Sequence, residues 1–208
     1  VGSEMCIRDR AYTAQAYITT DKNANQITTF HPGAMQFSHE VKIPHDQSIT
    51  LGLISPDGRD GMIEHTKQLI EMNVPYIFDP GQGMPMFNKD ELNFFTENAS
   101  WIVMNDYEFK MYNEMTNISS KDITSKNKIL VVTNGNKGST IFTNNSELHI
   151  STPKVENPKD PTGCGDAYRA GLLYGLVNNM DIEIAGKIAS LMGSIKISCH
   201  GTQNHTFT

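Results

Sequence analysis

The chain has little to offer a polyanion. Its 17 Lys and Arg residues stand against 23 Asp and Glu, a net charge of −6 over 208 residues, and no cluster of basic residues interrupts that balance. Nucleic acid and anionic membrane surfaces are therefore not expected as partners. Long apolar runs are missing too: nothing approaches the roughly 18 residues that a membrane span needs, and a mean hydropathy of −0.39 is that of a globular chain. Cysteine is scarce, and Cys6, Cys164 and Cys199 form no C-x-x-C and cannot all pair with one another. A reducing, cytoplasmic setting fits that better than a disulfide framework. The seven histidines show neither H-E-x-x-H nor Cys/His ligand spacing, which disfavours zinc. There is no internal repeat, and the length suits one domain rather than two. An initiator Met is also absent. Residues 1–10, VGSEMCIRDR, resemble an adapter-derived translation artefact and are set aside from fold reasoning. On that reading the natural protein begins upstream of Ala11.

What is present is concentrated in residues 160–171, DPTGCGDAYRAG. Gly163, Cys164 and Gly165 are small enough to let backbone N–H groups converge on an anion, and the helix they open adds its positive dipole end. Asp166 then stands beside a site built for negative charge, where a general base is the role that would justify a carboxylate. The same residues would also serve a plain glycine turn with a first-turn aspartate.

From residue 49 onward, short apolar stretches alternate with helical patterns, which argues for parallel βαβ units. Strands are expected at 49–54, 74–78, 101–104 and 129–133, and helices at 62–72, 91–98, 166–178 and 182–198. Before them, residues 14–20 and 26–30 alternate as a hairpin around a polar turn. Asp21, Asn23 and Asn25 have a calcium-loop spacing, but Gln26 and Pro32 fall where such a loop requires Gly and Glu, so metal is not expected there. Asp79, Pro80 and Gly81 follow the second strand at its carboxyl end, where open α/β sheets bind ligands. Asn105 and Glu108, in NDYE, follow the third and would equally make an ordinary helix cap. TNGNKG, residues 133–138, follows the fourth and reads as a hairpin loop with an Asn-Gly turn. Lys137 within it is read as a solvated charge, and His200 as a cation at a helix C-terminus.

The three motifs in this order resemble the PfkB (ribokinase-like) carbohydrate and nucleoside kinases. DPTGCGD is similar to that family's D-T/P-x-G-A-G-D signature, with Pro161 and Cys164 as variations. The resemblance implies a three-layer α/β/α sandwich, Rossmann-like and mostly parallel, over residues 11–208, with 14–30 as part of a small β lid. It further implies ATP and Mg²⁺ as cofactors and a small-molecule acceptor, a nucleoside or a sugar, and it leaves room for a homodimer. Gly163, Cys164 and Gly165 would form the anion hole and Asp166 would be the base. Asn105 and Glu108 would serve metal and phosphates, with Mg²⁺ reached from Glu108 through water. Thr133, Gly135, Gly138, Gly201 and Asn204 would bind ATP, and Asp160 would belong to a monovalent-cation site for K⁺. GCGDAYRAG, IFDPGQGMPMF and GTQNH are closest to adenosine-kinase-like members, so adenosine is the first expected substrate and a free sugar the second. Gly81 departs from the asparagine common after D-P in the family. Most sugar-gripping residues of the family would precede Ala11, so the chain by itself is expected to be inactive. Two other readings are a dinucleotide-binding dehydrogenase domain that uses GCG as its pyrophosphate turn, and a non-catalytic ligand-binding relative. The late position of the turn opposes the first, and the retained Asp166 the second.

Overall fold

A computed structural model describes residues 11–20, 26–45 and 48–206. The polar turn at 21–25 and residues 1–10 lie outside the described residues. The expected hairpin is present as β1 (Gln15–Thr20) and β2 (Gln26–His31), antiparallel with Gln15 opposite His31 in a two-stranded sheet of their own.

The main sheet has six strands in sequential order: β3 (Gly52–Ile54), β4 (Tyr76–Phe78), β5 (Trp101–Asn105), β6 (Ile129–Thr133), β7 (Ser139–Phe142) and β8 (Glu147–Ile150). The first four are parallel, and β7 and β8 run antiparallel as a meander on the β6 edge. Helices α1 (Arg59–Glu71), α2 (Lys89–Asn98), α3 (Asp106–Thr116) and α4 (Ser120–Thr124) make the crossovers, and α5 (Cys164–Val177) and α6 (Ile182–Ile197) follow the last strand.

Alternation along the strands builds two cores. Tyr76, Phe78, Ile102, Met104, Leu130 and Val132 pack with Met62, Leu92, Phe95 and Tyr112 of the crossover helices. The intervening Ile77, Val103 and Val131 pack with Leu172 of α5 and with Ala185 and Ala189 of α6. A strand whose successive side chains are both buried must be covered on both faces, so the three-layer sandwich follows from these residues. Gly171 sits against Ala189, where an added Cβ would come within 2.7 Å of its Cα, so α5 and α6 approach closely.

Several boundaries differ from the sequence expectation. The first sheet strand is short, Gly52–Ile54 rather than 49–54, and α1 starts at Arg59, three residues before the apolar pattern, with Gly58 at its N-cap. The expected hairpin loop joins the antiparallel β6 and β7, its five residues 134–138 passing through a 3₁₀ turn, Gly135–Lys137. Among the described residues no helix is long and apolar enough to cross a membrane.

Candidate active site

The loop before α5 is folded by its own polar groups. Asp160 Oδ1 accepts from the Thr162 amide at 2.9 Å, an Asx turn, and Oδ2 accepts from the Gly201 amide at 2.9 Å. These bonds, with those of the Thr162 side chain, lower its pKa to about 2. Gly163 is the N-cap at φ +85°, a left-handed conformation that suits glycine. The Cys164 amide is taken by the Pro161 carbonyl at 3.1 Å, leaving those of Gly165 and Asp166 as the unpaired donors that a helix end presents. Of the three residues read as an anion hole, Gly165 thus offers a free amide, while Cys164 contributes its small side chain.

Asp166 lies in the first turn of α5 with its carboxylate largely exposed, and Oδ1 accepts from Arg169 Nη2 at 2.6 Å. Arg169 Nε also donates to Asp79 Oδ2 at 2.8 Å. The guanidinium therefore ties the candidate base to the DPG loop after β4. Asp79 is fully buried, Ser55 Oγ lies 3.4 Å from its Oδ2, and its Oδ1 has no partner. Burial pushes its pKa up to about 6 against the pull of Arg169, and the charges of Glu108 and Asp166 push the same way. Glu108, Asp79 and Asp166 thus share one electrostatic neighbourhood.

Because the pKa of Asp79 in the folded protein lies above the usual 3.8, folding is favoured by the protonated form. That contribution is complete below about pH 4 and is lost as pH rises through about 6, a change on the order of 3 kcal/mol. The stability difference between the parent and Asp79→Asn, measured by chemical denaturation from pH 4 to 7, should move against the parent as pH rises. Parallel profiles would mean that Asp79 remains ionised throughout. Asp160, shifted the other way, titrates below this window.

Asn105 and Glu108 form a full capping box on α3. The Glu108 amide donates to Asn105 Oδ1 at 2.7 Å and the Asn105 amide to Glu108 Oε2 at 2.8 Å. Both therefore have a structural task at the carboxyl end of β5. Thr133, Gly135, Gly138, Cys164 and Gly165 come together on the wall of one cavity of about 630 Å³. Gly201 and Asn204 lie outside that wall: Gly201 binds Asp160, and Asn204 Nδ2 donates to the His200 carbonyl at 2.9 Å.

Sequence reasoning missed the rest of the cavity. Its far wall is one face of α6, formed by Ser190, Gly193, Ser194 and Ile197, and Pro153, Val155 and Pro158 supply an apolar side. The 3/4/7 spacing of the α6 residues was the available signal. Tyr168 closes the cavity beside Gly165, its hydroxyl 2.8 Å from Ser139 Oγ. Arg169 and Asp79, 90 positions apart in the chain, carried no sequence signal as a pair.

The cavity's size and its apolar wall beside a helix N-terminus suit a nucleotide. No atom lies within 4 Å of where a Cβ on Gly135 would stand, so the wall is open there. No group of three or more His, Cys, Asp or Glu that could hold a metal exists among the described residues. Magnesium keeps much of its water and takes oxygens from phosphate, so the chain need supply only a carboxylate such as Glu108.

Comparison with known proteins agrees with this fold. The profile of the pfkB family carbohydrate kinases matches residues 1–207. A nucleoside kinase of Methanocaldococcus jannaschii is 32% identical over 203 residues, 98% of this chain and 67% of that protein. One of Thermoplasma acidophilum is 33% identical over 172 residues, 80% of this chain and 53% of its own length. The solved structure of Burkholderia thailandensis nucleoside kinase in complex with inosine aligns at a TM-score of 0.89 and 45% identity, over 94% of this chain and 64% of that one. The chain thus spans about half to two thirds of the length of these relatives. The dehydrogenase reading falls away, because the glycine turn follows the last strand and opens α5 instead of the first βα unit. With the motifs, the sheet and the matched relatives in agreement, the chain belongs to the pfkB family of carbohydrate kinases.

Proposed function

We propose that this chain is the nucleotide-binding and catalytic part of an ATP-dependent kinase that phosphorylates a primary hydroxyl of a nucleoside, with adenosine and inosine as first substrates. The observation that carries the reading is the carboxylate of Asp166, which directly follows Gly165 of the cavity wall in the first turn of α5, beside the free donors of that helix. Bound ATP with magnesium supplies the phosphoryl group. Asp166 takes the proton from the acceptor hydroxyl, and Arg169 sets the direction of its carboxylate. The amides of Gly165 and Asp166 receive the charge on the phosphoryl oxygens. Thr133, Gly135, Asn136 and Gly138 line the nucleotide's side of the cavity, and Glu108 would hold magnesium, which would neutralise charge on the phosphates. The β1–β2 hairpin, with Tyr17, Ile27 and Phe30 exposed, is suited to cover the acceptor. The choice of a nucleoside over a free sugar rests on the nucleoside kinases among the relatives, one of them bound to inosine.

The test is ADP formation with adenosine, inosine, ribose and fructose as acceptors, in a protein extended upstream to the length of the matched relatives. Turnover is expected there with the nucleosides. Turnover on the free sugars alone would move the acceptor to the sugar reading, and none on any acceptor in a protein that binds ATP would favour a non-catalytic relative.

A further inference from the structure

A potassium ion, as the family resemblance implies, would lie at Asp160, between the loop that opens α5 and the turn that follows α6. The residues present do not leave room for one. Lys196, in the last turn of α6, is fully buried. Its Nζ donates to the main-chain oxygen of Asp160 at 2.7 Å and to that of Cys199 at 3.4 Å, and Asp160 Oδ2 lies 3.9 Å away. A desolvated ammonium is tolerable only where oxygens replace its hydration shell. Here the replacement comes from two carbonyls on different loops and one carboxylate. Those are also the ligands that an alkali cation would recruit, and an ammonium matches potassium in charge and closely in size.

We infer that Lys196 is a tethered substitute for the monovalent cation, its ammonium clamping the α5 loop to the turn after α6, so that the protein needs no added potassium. The clamp acts on the same loop from several sides. The amides of Lys159 and Asp160 both donate to the Ile197 carbonyl, at 2.7 and 3.2 Å, and Gly201 donates to Asp160 Oδ2. Three residues beyond Asp160 the chain reaches Gly163 and the donors of α5. Lys196 is thus a positioning residue: it lies off the wall of the cavity and fixes the loop that presents the amides. Its catalytic consequence rests on the kinase reading above, whereas its occupation of the cation place does not.

The experiment compares melting temperature and ADP formation in potassium chloride and in tetramethylammonium chloride at equal ionic strength. The unmodified protein should show no difference between the two salts in either measurement. Lys196→Ala opens a hollow among the same oxygens, so it should melt lower in tetramethylammonium and recover in potassium. Lys196→Met fills the hollow with an uncharged chain and should lose stability in both salts alike. Turnover of Lys196→Ala should fall by about 10–100-fold without potassium, the usual weight of hydrogen bonds to a charged group, and return with it, the KM for the acceptor changing little. A parent whose melting temperature or turnover rises specifically with potassium would overturn the inference, because a separate cation site would then exist. A Lys196→Ala variant indifferent to potassium would overturn it as well. The parent's melting temperature needs no substitution and no turnover, so it decides the matter even if both variants misfold or no kinase activity is found.

Discussion

Replacing Asp166 by asparagine lowers turnover by about 10²–10⁴-fold, the usual worth of a general base, while ATP affinity changes little. The substitution suits this geometry. Asparagine keeps an oxygen for the 2.6 Å contact that Arg169 makes with Oδ1, so the link from α5 through Arg169 to Asp79 survives. The helix start survives too, because its cap is Gly163, and Asp166 accepts no capping bond. What disappears is the ability to take a proton. Binding of ATP, measured calorimetrically beside the kinetics of ADP formation, separates the two effects in whichever length of the protein turns over. Near-normal turnover would sink the assignment, and a parallel loss of ATP binding would make Asp166 a structural member of the loop.

Legibility in the sequence followed the range of the interactions. The strand β6, Ile129–Thr133, could be read to the residue because its apolar run is flanked by turn chemistry. The helix α6 was read to within one residue because Asp181 caps one end and the other meets Cys199, His200 and Gly201. Glycine and cap motifs were legible for the same reason: Gly163, Asn105 and Glu108 act on their own neighbours. By contrast, the 3₁₀ segments Gly33–Glu40 and Gly81–Met86 each open on a glycine at positive φ whose need arises only from the surrounding packing. The Asp79–Arg169 pair and the seat of Lys196 were invisible from sequence, since each joins a side chain to a loop that only the tertiary fold brings near. Lys196 in particular stands in an apolar, Ser- and Gly-rich helix, where a lysine reads as an ordinary solvated residue until its carbonyl partners are seen.

Gly138 gives the second large effect, and it acts through the fold before it acts through any ligand. Its backbone, at φ +95° and ψ −144°, is one that L side chains rarely adopt. An added Cβ would land on the Ile150 carbonyl oxygen, with the carbonyl carbon 3.0 Å away. That oxygen belongs to the end of β8, whose pairing with Ser139 fixes the β7–β8 register, so it cannot retreat without opening the edge of the sheet. Gly138→Ala is therefore expected to cost about 3–5 kcal/mol, from backbone strain and a clash with rigid main chain. For a chain of this size that lowers the melting temperature by roughly 6–20 °C. Gly135, three residues earlier, is the control. It lies at φ +57° with no atom within 4 Å of a new Cβ, so Gly135→Ala costs only the left-handed penalty of about 1–2 kcal/mol. Both glycines line the same cavity, yet the two variants should part sharply in thermal denaturation. If they melt alike, the wall of the cavity yields more easily than this packing allows. If Gly135→Ala keeps its stability but weakens ATP binding, the open space beside it is the place where the nucleotide lies.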